Sequence, residues 1–165
     1  MEATNILNFK NCWEFREWLE KNHSTQKECW VNCKGWIDST YGLIDGARMQ
    51  RFSPRKKNSH WSELNKERCR WLIKKGLMTS DGFKILPDLD EEFVIDDDII
   101  TALKKDSEVW KNFLDFPDLY KRIKISNIQK ERKNEENFKK KLNYFIKNTK
   151  SGKTPGNWDD YGRLA

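Results

Sequence analysis

Side chains that could bind an anion are concentrated between residues 35 and 65. The sequence there combines tryptophan, arginine, hydroxyl and amide residues, and the basic run Arg55, Lys56 and Lys57 leads directly to Ser59. We predict that Ser59 caps a helix, whose free N–H groups together with nearby guanidinium groups would suit an anion such as phosphate. The expected ligand- or anion-binding surface consists of Trp36, Asp38, Arg48, Gln50, Arg51, Arg55, Ser59, Trp61 and Asn65.

The same residues also have a structural interpretation. Arginine and aspartate on a small sheet often pair across strands, and Trp36 and Trp61 would then pack against the core. An enzyme acting on a phosphorylated or acylated small molecule would instead use Asp38, Asp45 or His60 with the arginines. No phosphate loop, nucleophile elbow or zinc-protease pair is present in the sequence. A non-enzymatic binding role is therefore favoured, and no catalytic residue is assigned.

The elements that must position these residues are predicted to form a small antiparallel sheet over about residues 28–53. Residues 29–33, 35–40 and 47–52 are short runs rich in strand formers. Residues 41–46 carry glycine and aspartate, which are typical of a turn.

The remainder of the chain is predicted to be mainly helical. Asn11 caps a first helix with Glu14 as its capping-box partner. A second helix extends from Ser59 to about Lys75, and a last one covers about residues 132–148. The predicted fold class is therefore α+β, with the small antiparallel sheet packed on a predominantly α-helical body.

Three parts are predicted along the chain. Residues 1–87 contain the first helix, the sheet and the second helix, residues 88–150 form a helical part, and residues 151–165 form a tail. A single compact domain is the alternative, because 165 residues suit one domain.

Charge lies in opposed blocks along the chain. Residues 48–75 have a net charge of +8, residues 81–118 of −8 and residues 119–153 of +9; with −2 from residues 1–47 and −1 from residues 154–165, these give the total of +6. Either the acidic block neutralises the basic ones within the fold, or a basic face remains open to an anion. An open basic face would also allow a nucleic-acid-binding function.

Composition limits the remaining classes of protein. There is no run of 18 apolar residues, and residues 1–10 lack the apolar segment of a secretory signal. We therefore expect a cytoplasmic protein without integral membrane association. We expect no metal and no cofactor, and the expected partner is a small anionic ligand or a protein. Buried, reduced thiols are expected at the four cysteines, which lack the spacing of a zinc site: Cys12, Cys29, Cys33 and Cys69.

Four motifs in residues 35–79 resemble the bacterial YdeI/OmpD-associated family, which is also labelled bacteriocin-protection. The resemblance extends over residues 9–150. In this sequence Gly35 directly follows Lys34, at a position where family members commonly have an additional segment. The resemblance implies an uncharacterised bacterial protein with a role in stress or bacteriocin protection, and it carries over no enzyme activity, cofactor or catalytic residue. The motifs are Gly35-Trp36-Ile37-Asp38, the run from Gln50 to Arg55, the run from Ser59 to Asn65, and Gly76-Leu77-Met78-Thr79.

Overall fold

A computed structural model of the chain describes residues 6–32, 43–44, 47–52 and 60–164. The chain divides into two compact units, Met1–Lys57 and Asn58–Ala165. The described strands all lie in the first unit, and all but one of the described α-helices lie in the second. The prediction of a predominantly helical α+β chain is confirmed.

Within its described residues, the first unit contains one helix and four short strands. In the sheet, the strands follow the order β1-β2-β4-β3. The elements are β1 (Ile6–Leu7), α1 (Cys12–Asn22), β2 (Cys29–Asn32), β3 (Leu43–Ile44) and β4 (Ala47–Phe52).

The prediction of a purely antiparallel sheet is wrong, because β1 and β2 are parallel. Ile6 pairs with Trp30, whereas β4 runs antiparallel to both β2 and β3. Parallel neighbours need a crossover connection, and α1 supplies it between β1 and β2. The sequence did not reveal β1 because two apolar residues are too few to display a strand alternation.

The strands predicted at residues 29–33 and 47–52 correspond to β2 and β4. The strand predicted at residues 35–40 lies outside the described residues. Leu43 and Ile44, which were predicted to be part of a turn, form β3 and pair with β4. The predicted turn therefore overlaps a strand in the sheet.

Asn11 caps α1 as predicted. Its Oδ1 accepts hydrogen bonds from the backbone N–H groups of Trp13 at 2.9 Å and Glu14 at 3.0 Å. The carboxylate of Glu14 accepts a bond from the N–H of Lys10 at 2.8 Å, one residue before the expected capping-box donor. At the start of α1, two N–H groups are therefore satisfied by the side chain of Asn11.

We expect Asn11→Ala to lower the free energy of unfolding of the first unit by about 1 kcal/mol, because two N–H groups lose their acceptor. Urea unfolding followed by circular dichroism would measure this change. The control is Asn11→Ser, which keeps a capping oxygen and should remain close to the wild type. Equal stability of the alanine variant and the wild type would contradict the prediction.

The described part of the second unit consists of helices, with a long connection over residues 84–96 and a C-terminal segment without helix or strand. Its elements are α2 (Glu63–Lys74), α3 (Ser80–Phe83), α4 (Asp97–Lys104), α5 (Ser107–Asp115), α6 (Asp118–Gln129), a 3₁₀ turn (Lys130–Lys133) and α7 (Glu135–Lys150).

The second helix begins later than predicted. Ser62 is the N-cap of α2, and its Oγ accepts a hydrogen bond from the N–H of Asn65 at 3.3 Å. The predicted cap, Ser59, lies outside the described residues. Two serines three positions apart can both precede this helix, and sequence alone does not select between them. The basic run at residues 55–57 therefore does not lead directly into the helix start.

The core of the second unit is formed by the apolar faces of α4 to α7. Tyr120, Ile99, Leu103 and Ile125 are completely buried. Residues 151–164 contain no helix or strand, yet the ring of Trp158 packs edge-on against Tyr120 at 5.8 Å between centroids. The remaining buried members of the cluster are Val109, Phe113, Phe116, Ile128, Phe138, Leu142 and Phe145.

The second unit joins parts that the sequence prediction separated at residue 87. Helix α2 packs against α6, and Asp160 in the C-terminal segment binds Arg68 on α2. The three predicted parts stay a prediction about domain boundaries.

Candidate functional site

The residues predicted to form an anion site are divided between the two units. Arg48, Gln50 and Arg51 lie on β4, opposite Leu43, Val31 and Trp30 respectively. Trp61 is half-buried before α2, and Asn65 lies in its first turn. The others lie outside the described residues, so the predicted surface as a whole stays a prediction: Trp36, Asp38, Arg55 and Ser59.

Asn65 belongs to an ionic cluster within the second unit. Its Oδ1 accepts a hydrogen bond from Arg68 at 3.2 Å. Arg68 also donates two bonds to the buried carboxylate of Asp160, at 2.6 and 3.1 Å, and Arg163 binds the same carboxylate. Arg68 lowers the pKa of Asp160 more than any other neighbour does. The amide of Asn65 therefore supports an internal ion pair.

Other basic residues of α2 also have acidic partners. Glu67 accepts hydrogen bonds from Arg70 at 2.8 Å and from Arg122 of α6 at 3.0 Å. Lys66 lies 2.9 Å from Glu91 and 3.3 Å from the buried Glu63. Of the two interpretations of the charge blocks, neutralisation within the fold applies to this helix.

The acidic run at the start of α4 is bound by Arg132, which lies in the 3₁₀ turn that precedes α7. Arg132 donates to both oxygens of Asp98, at 2.6 and 2.7 Å, and also binds Asp96. Its guanidinium group lies over the ring of Phe138 at 4.1 Å. Arg132 lowers the pKa of Asp98. These aspartates therefore serve an ion pair, and no cluster suited to a metal occurs among the described residues.

A groove of about 730 Å³ lies between α6 and α7. The 3₁₀ turn reverses the chain between these helices. Tyr120, Ile128, Phe145 and Pro155 form its apolar walls. The polar side chains that line it are Lys124, Asn127, Asn137, Lys140, Lys141, Tyr144 and Asn148.

Lys124 is the cation in the most unusual environment of the groove. Its Nζ lies 5.4 Å from the centroid of the Tyr120 ring, and a Cβ placed on Gly156 would approach it to 3.1 Å. Burial lowers the pKa of Lys124. Within the described part of the chain it forms no ion pair. The charge therefore lies against apolar surface without a carboxylate to offset its loss of water.

The other lysines of the groove differ in their partners. Lys141 binds Glu131 and also donates to the backbone carbonyl of Asn127 at 3.5 Å. The same contact lowers the pKa of Glu131. Lys140 lies on exposed surface and makes no ion pair with any residue that the structure describes. The positive charge available to a ligand therefore comes from Lys124 and Lys140.

The two tyrosines of the groove have different roles. Tyr120 is completely buried, its hydroxyl donates to the carbonyl of Lys153 at 3.5 Å, and burial raises its pKa to about 12. Tyr144 is 62% exposed, and the Nδ2 of Asn148 donates to its backbone carbonyl at 2.7 Å. Tyr120 is therefore a wall of the groove, whereas Tyr144 presents an open ring.

Sequence reasoning did not find this groove. Lys124 and Asn127 recur on one face of α6, and Asn137, Lys140, Tyr144 and Asn148 recur at helical spacing on α7. That mixture of amides, lysines and tyrosine on two helices in succession was the available signal. It could not show that the two faces meet.

Two different protein-family models match two different parts of the chain. Residues 31–85, which include the four motifs, match the model of a domain of unknown function (DUF8412). No curated protein and no solved structure matches the chain. Within the described residues, no helix has the length and apolar character needed to cross a bilayer. Residues 92–152 match the model described as bacteriocin-protection, YdeI or OmpD-associated, and this match confirms the predicted resemblance to that family for this part of the chain.

Proposed function

We propose that the protein is a non-enzymatic binding protein that takes a small anionic ligand into the groove between α6 and α7. The observation that carries this proposal is Lys124, a half-buried ammonium group without a carboxylate partner among the described residues. The groove lies mostly within residues 92–152, where the family resemblance is found. A bacterial cytoplasmic location and a part in bacteriocin protection belong to the same proposal, and the family description supports the latter.

Among the described residues, no carboxylate compensates the charge of Lys124. Removing an ammonium group from water disfavours its charged form, and a nearby carboxylate would normally offset that cost. The centroid of the Tyr120 ring lies 5.4 Å from Nζ of Lys124, and an aromatic ring attracts a cation only weakly. An anion bound in the groove would supply the missing opposite charge and would restore the pKa of Lys124 toward its ordinary value.

We expect Lys124→Met to leave the stability of the free protein unchanged or to raise it, because methionine fills the same space without a desolvated charge. Because burial lowers this pKa in the folded protein, Lys124 destabilises the wild type below its folded-state pKa, and the difference in stability between the variant and the wild type should shrink as the pH rises toward about 10.4. Thermal unfolding at several pH values would test both statements. A clear loss of stability at neutral pH would contradict them.

Binding would be measured by isothermal titration calorimetry with inorganic phosphate and ribose 5-phosphate. We expect Lys124→Met to weaken binding by at least about tenfold, since a hydrogen bond to a charged group contributes roughly 1.5–3 kcal/mol. Lys111→Met is the matched control: it removes the same charge from an exposed position on α5 outside the groove. Equal losses in both variants would indicate general charge attraction and would contradict a site at Lys124.

The surface predicted from residues 35–65 remains a second proposed anion site. Arg51→Ala and Arg55→Ala test it in a thermal-shift screen of nucleotides, sugar phosphates and phosphopeptides. If both variants respond like the wild type to every ligand, this surface is not the binding site.

A further inference from the structure

We infer that the ligand of the groove is a nucleotide, whose phosphate contacts Lys124 and Lys140 and whose base stacks on Tyr144. This inference rests on the binding function proposed above and specifies its ligand. Three features of the groove support it: its positive charge, its length and the exposed aromatic ring on its lining.

The charge available in the groove suits a phosphate monoester. Lys141 is already paired with Glu131, so Lys124 and Lys140 remain as two positive groups without acidic partners among the described residues. A phosphate monoester carries about −1.5 to −2 charges at neutral pH. A single carboxylate carries one negative charge and would neutralise only one of the two lysines.

The groove is longer than a phosphate group requires. Its lining on α7 extends from Asn137 to Asn148, which corresponds to about 16 Å at the helical rise per residue. Its volume of about 730 Å³ lies within the usual range of small-molecule sites. An occupant that reaches the lysines therefore leaves room for a further group along the helix.

Tyr144 offers a surface for that further group. Tyr144 is 62% exposed. The hydrogen bond that it accepts from Asn148 involves its backbone carbonyl and not its ring. Aromatic side chains stack on nucleobases of any sequence, because every base has a π-face. An aliphatic chain would gain apolar contact with Tyr144 but not this stacking interaction.

The amides at the two ends of the groove favour a polar, planar group over a lipid chain. Asn127 and Asn148 each carry both donor and acceptor atoms, and the hydrogen bond from Asn148 to the carbonyl of Tyr144 uses only one donor. The edge of a nucleobase also presents donors and acceptors side by side, which amide side chains can pair with. A hydrocarbon chain would leave these amide groups without partners.

The test compares AMP, ribose 5-phosphate and adenosine by calorimetry on the full chain. We expect AMP to bind at least about tenfold more tightly than ribose 5-phosphate, since base stacking contributes roughly 1–3 kcal/mol. Tyr144→Leu should reduce AMP affinity to the level of ribose 5-phosphate and leave ribose 5-phosphate unchanged. Tyr144→Phe keeps the ring and should bind AMP like the wild type.

The outcomes separate this inference from the function on which it rests. If ribose 5-phosphate binds through Lys124 but AMP binds no more tightly, the nucleotide inference is wrong and the anion-binding function stands. If none of the three compounds binds, both are wrong. A single-stranded oligonucleotide that binds where AMP does not would overturn the inference in favour of strand binding.

Discussion

Tyr120→Ala is expected to lower the free energy of unfolding of the second unit by about 4 kcal/mol, which is typical of a buried aromatic residue replaced by alanine. The Tyr120 ring is completely buried and packs edge-on against Phe116 at 5.2 Å and Trp158 at 5.8 Å. Its loss would open a cavity between α6 and the C-terminal segment, and it would remove one wall of the groove.

Tyr120→Phe separates the ring from the hydroxyl group. The hydroxyl makes one long hydrogen bond of 3.5 Å to Lys153, so we expect phenylalanine to cost less than about 1 kcal/mol. Urea unfolding followed by tryptophan fluorescence would report both variants. Similar small losses in the two variants would show that the ring is not a major part of the core.

Asp160→Ala is expected to cost about 2–3 kcal/mol, the second largest effect. The alanine variant loses the carboxylate that Arg68 and Arg163 bind. Position 160 also has a φ of 55°, in the left-handed region that alanine disfavours. Because Arg68 and Arg163 are 36% and 51% exposed, they regain water when the carboxylate is removed, which limits the loss.

Asp160→Asn separates the charge from the backbone conformation, because asparagine tolerates the left-handed region. We expect it to cost about 1–2 kcal/mol at neutral pH. The pKa of Asp160 is lowered in the folded protein, so its contribution is complete above about pH 4 and is lost as the pH falls through the folded-state pKa.

The difference in stability between the wild type and Asp160→Asn should therefore shrink as the pH is lowered from about 6 to about 3. Urea unfolding at several pH values would measure it. A difference that stays constant with pH would mean that the charge of Asp160 does not contribute.

The helices and their core were predictable because their signals are local. In the last helix, which the sequence predicts over about residues 132–148, Phe138, Leu142 and Phe145 recur at helical spacing and are buried. Thr79 caps α3, and its Oγ1 accepts a hydrogen bond from Gly82. Leu114 follows the same apolar pattern but is 55% exposed. Periodicity therefore identified the helices but did not fix every side chain on their buried faces.

The ion pairs were not predictable because their partners are distant in sequence. Arg68 and Asp160 are 92 residues apart, and nothing near either residue indicates the other. The charge blocks therefore showed that neutralisation was possible, but the identity of each pair depends on how the helices pack.

The groove depends on the same kind of tertiary information. Lys124 cannot be distinguished from the other lysines of its basic block until α6 packs against α7 and Gly156 lies beside it. The sequence-based site was chosen where polar and aromatic residues are dense along the chain. The groove instead combines residues that are separated in the sequence and come together only in the folded structure.

The ion pair between Arg68 and Asp160 also determines how the chain can be divided. The match to the YdeI/OmpD-associated family covers residues 92–152, but Trp158 covers Tyr120 and Asp160 binds α2 beyond those limits. A fragment cut at the limits of the match would expose Tyr120 to water. The smallest piece that folds autonomously should therefore extend from the start of α2 to about residue 164.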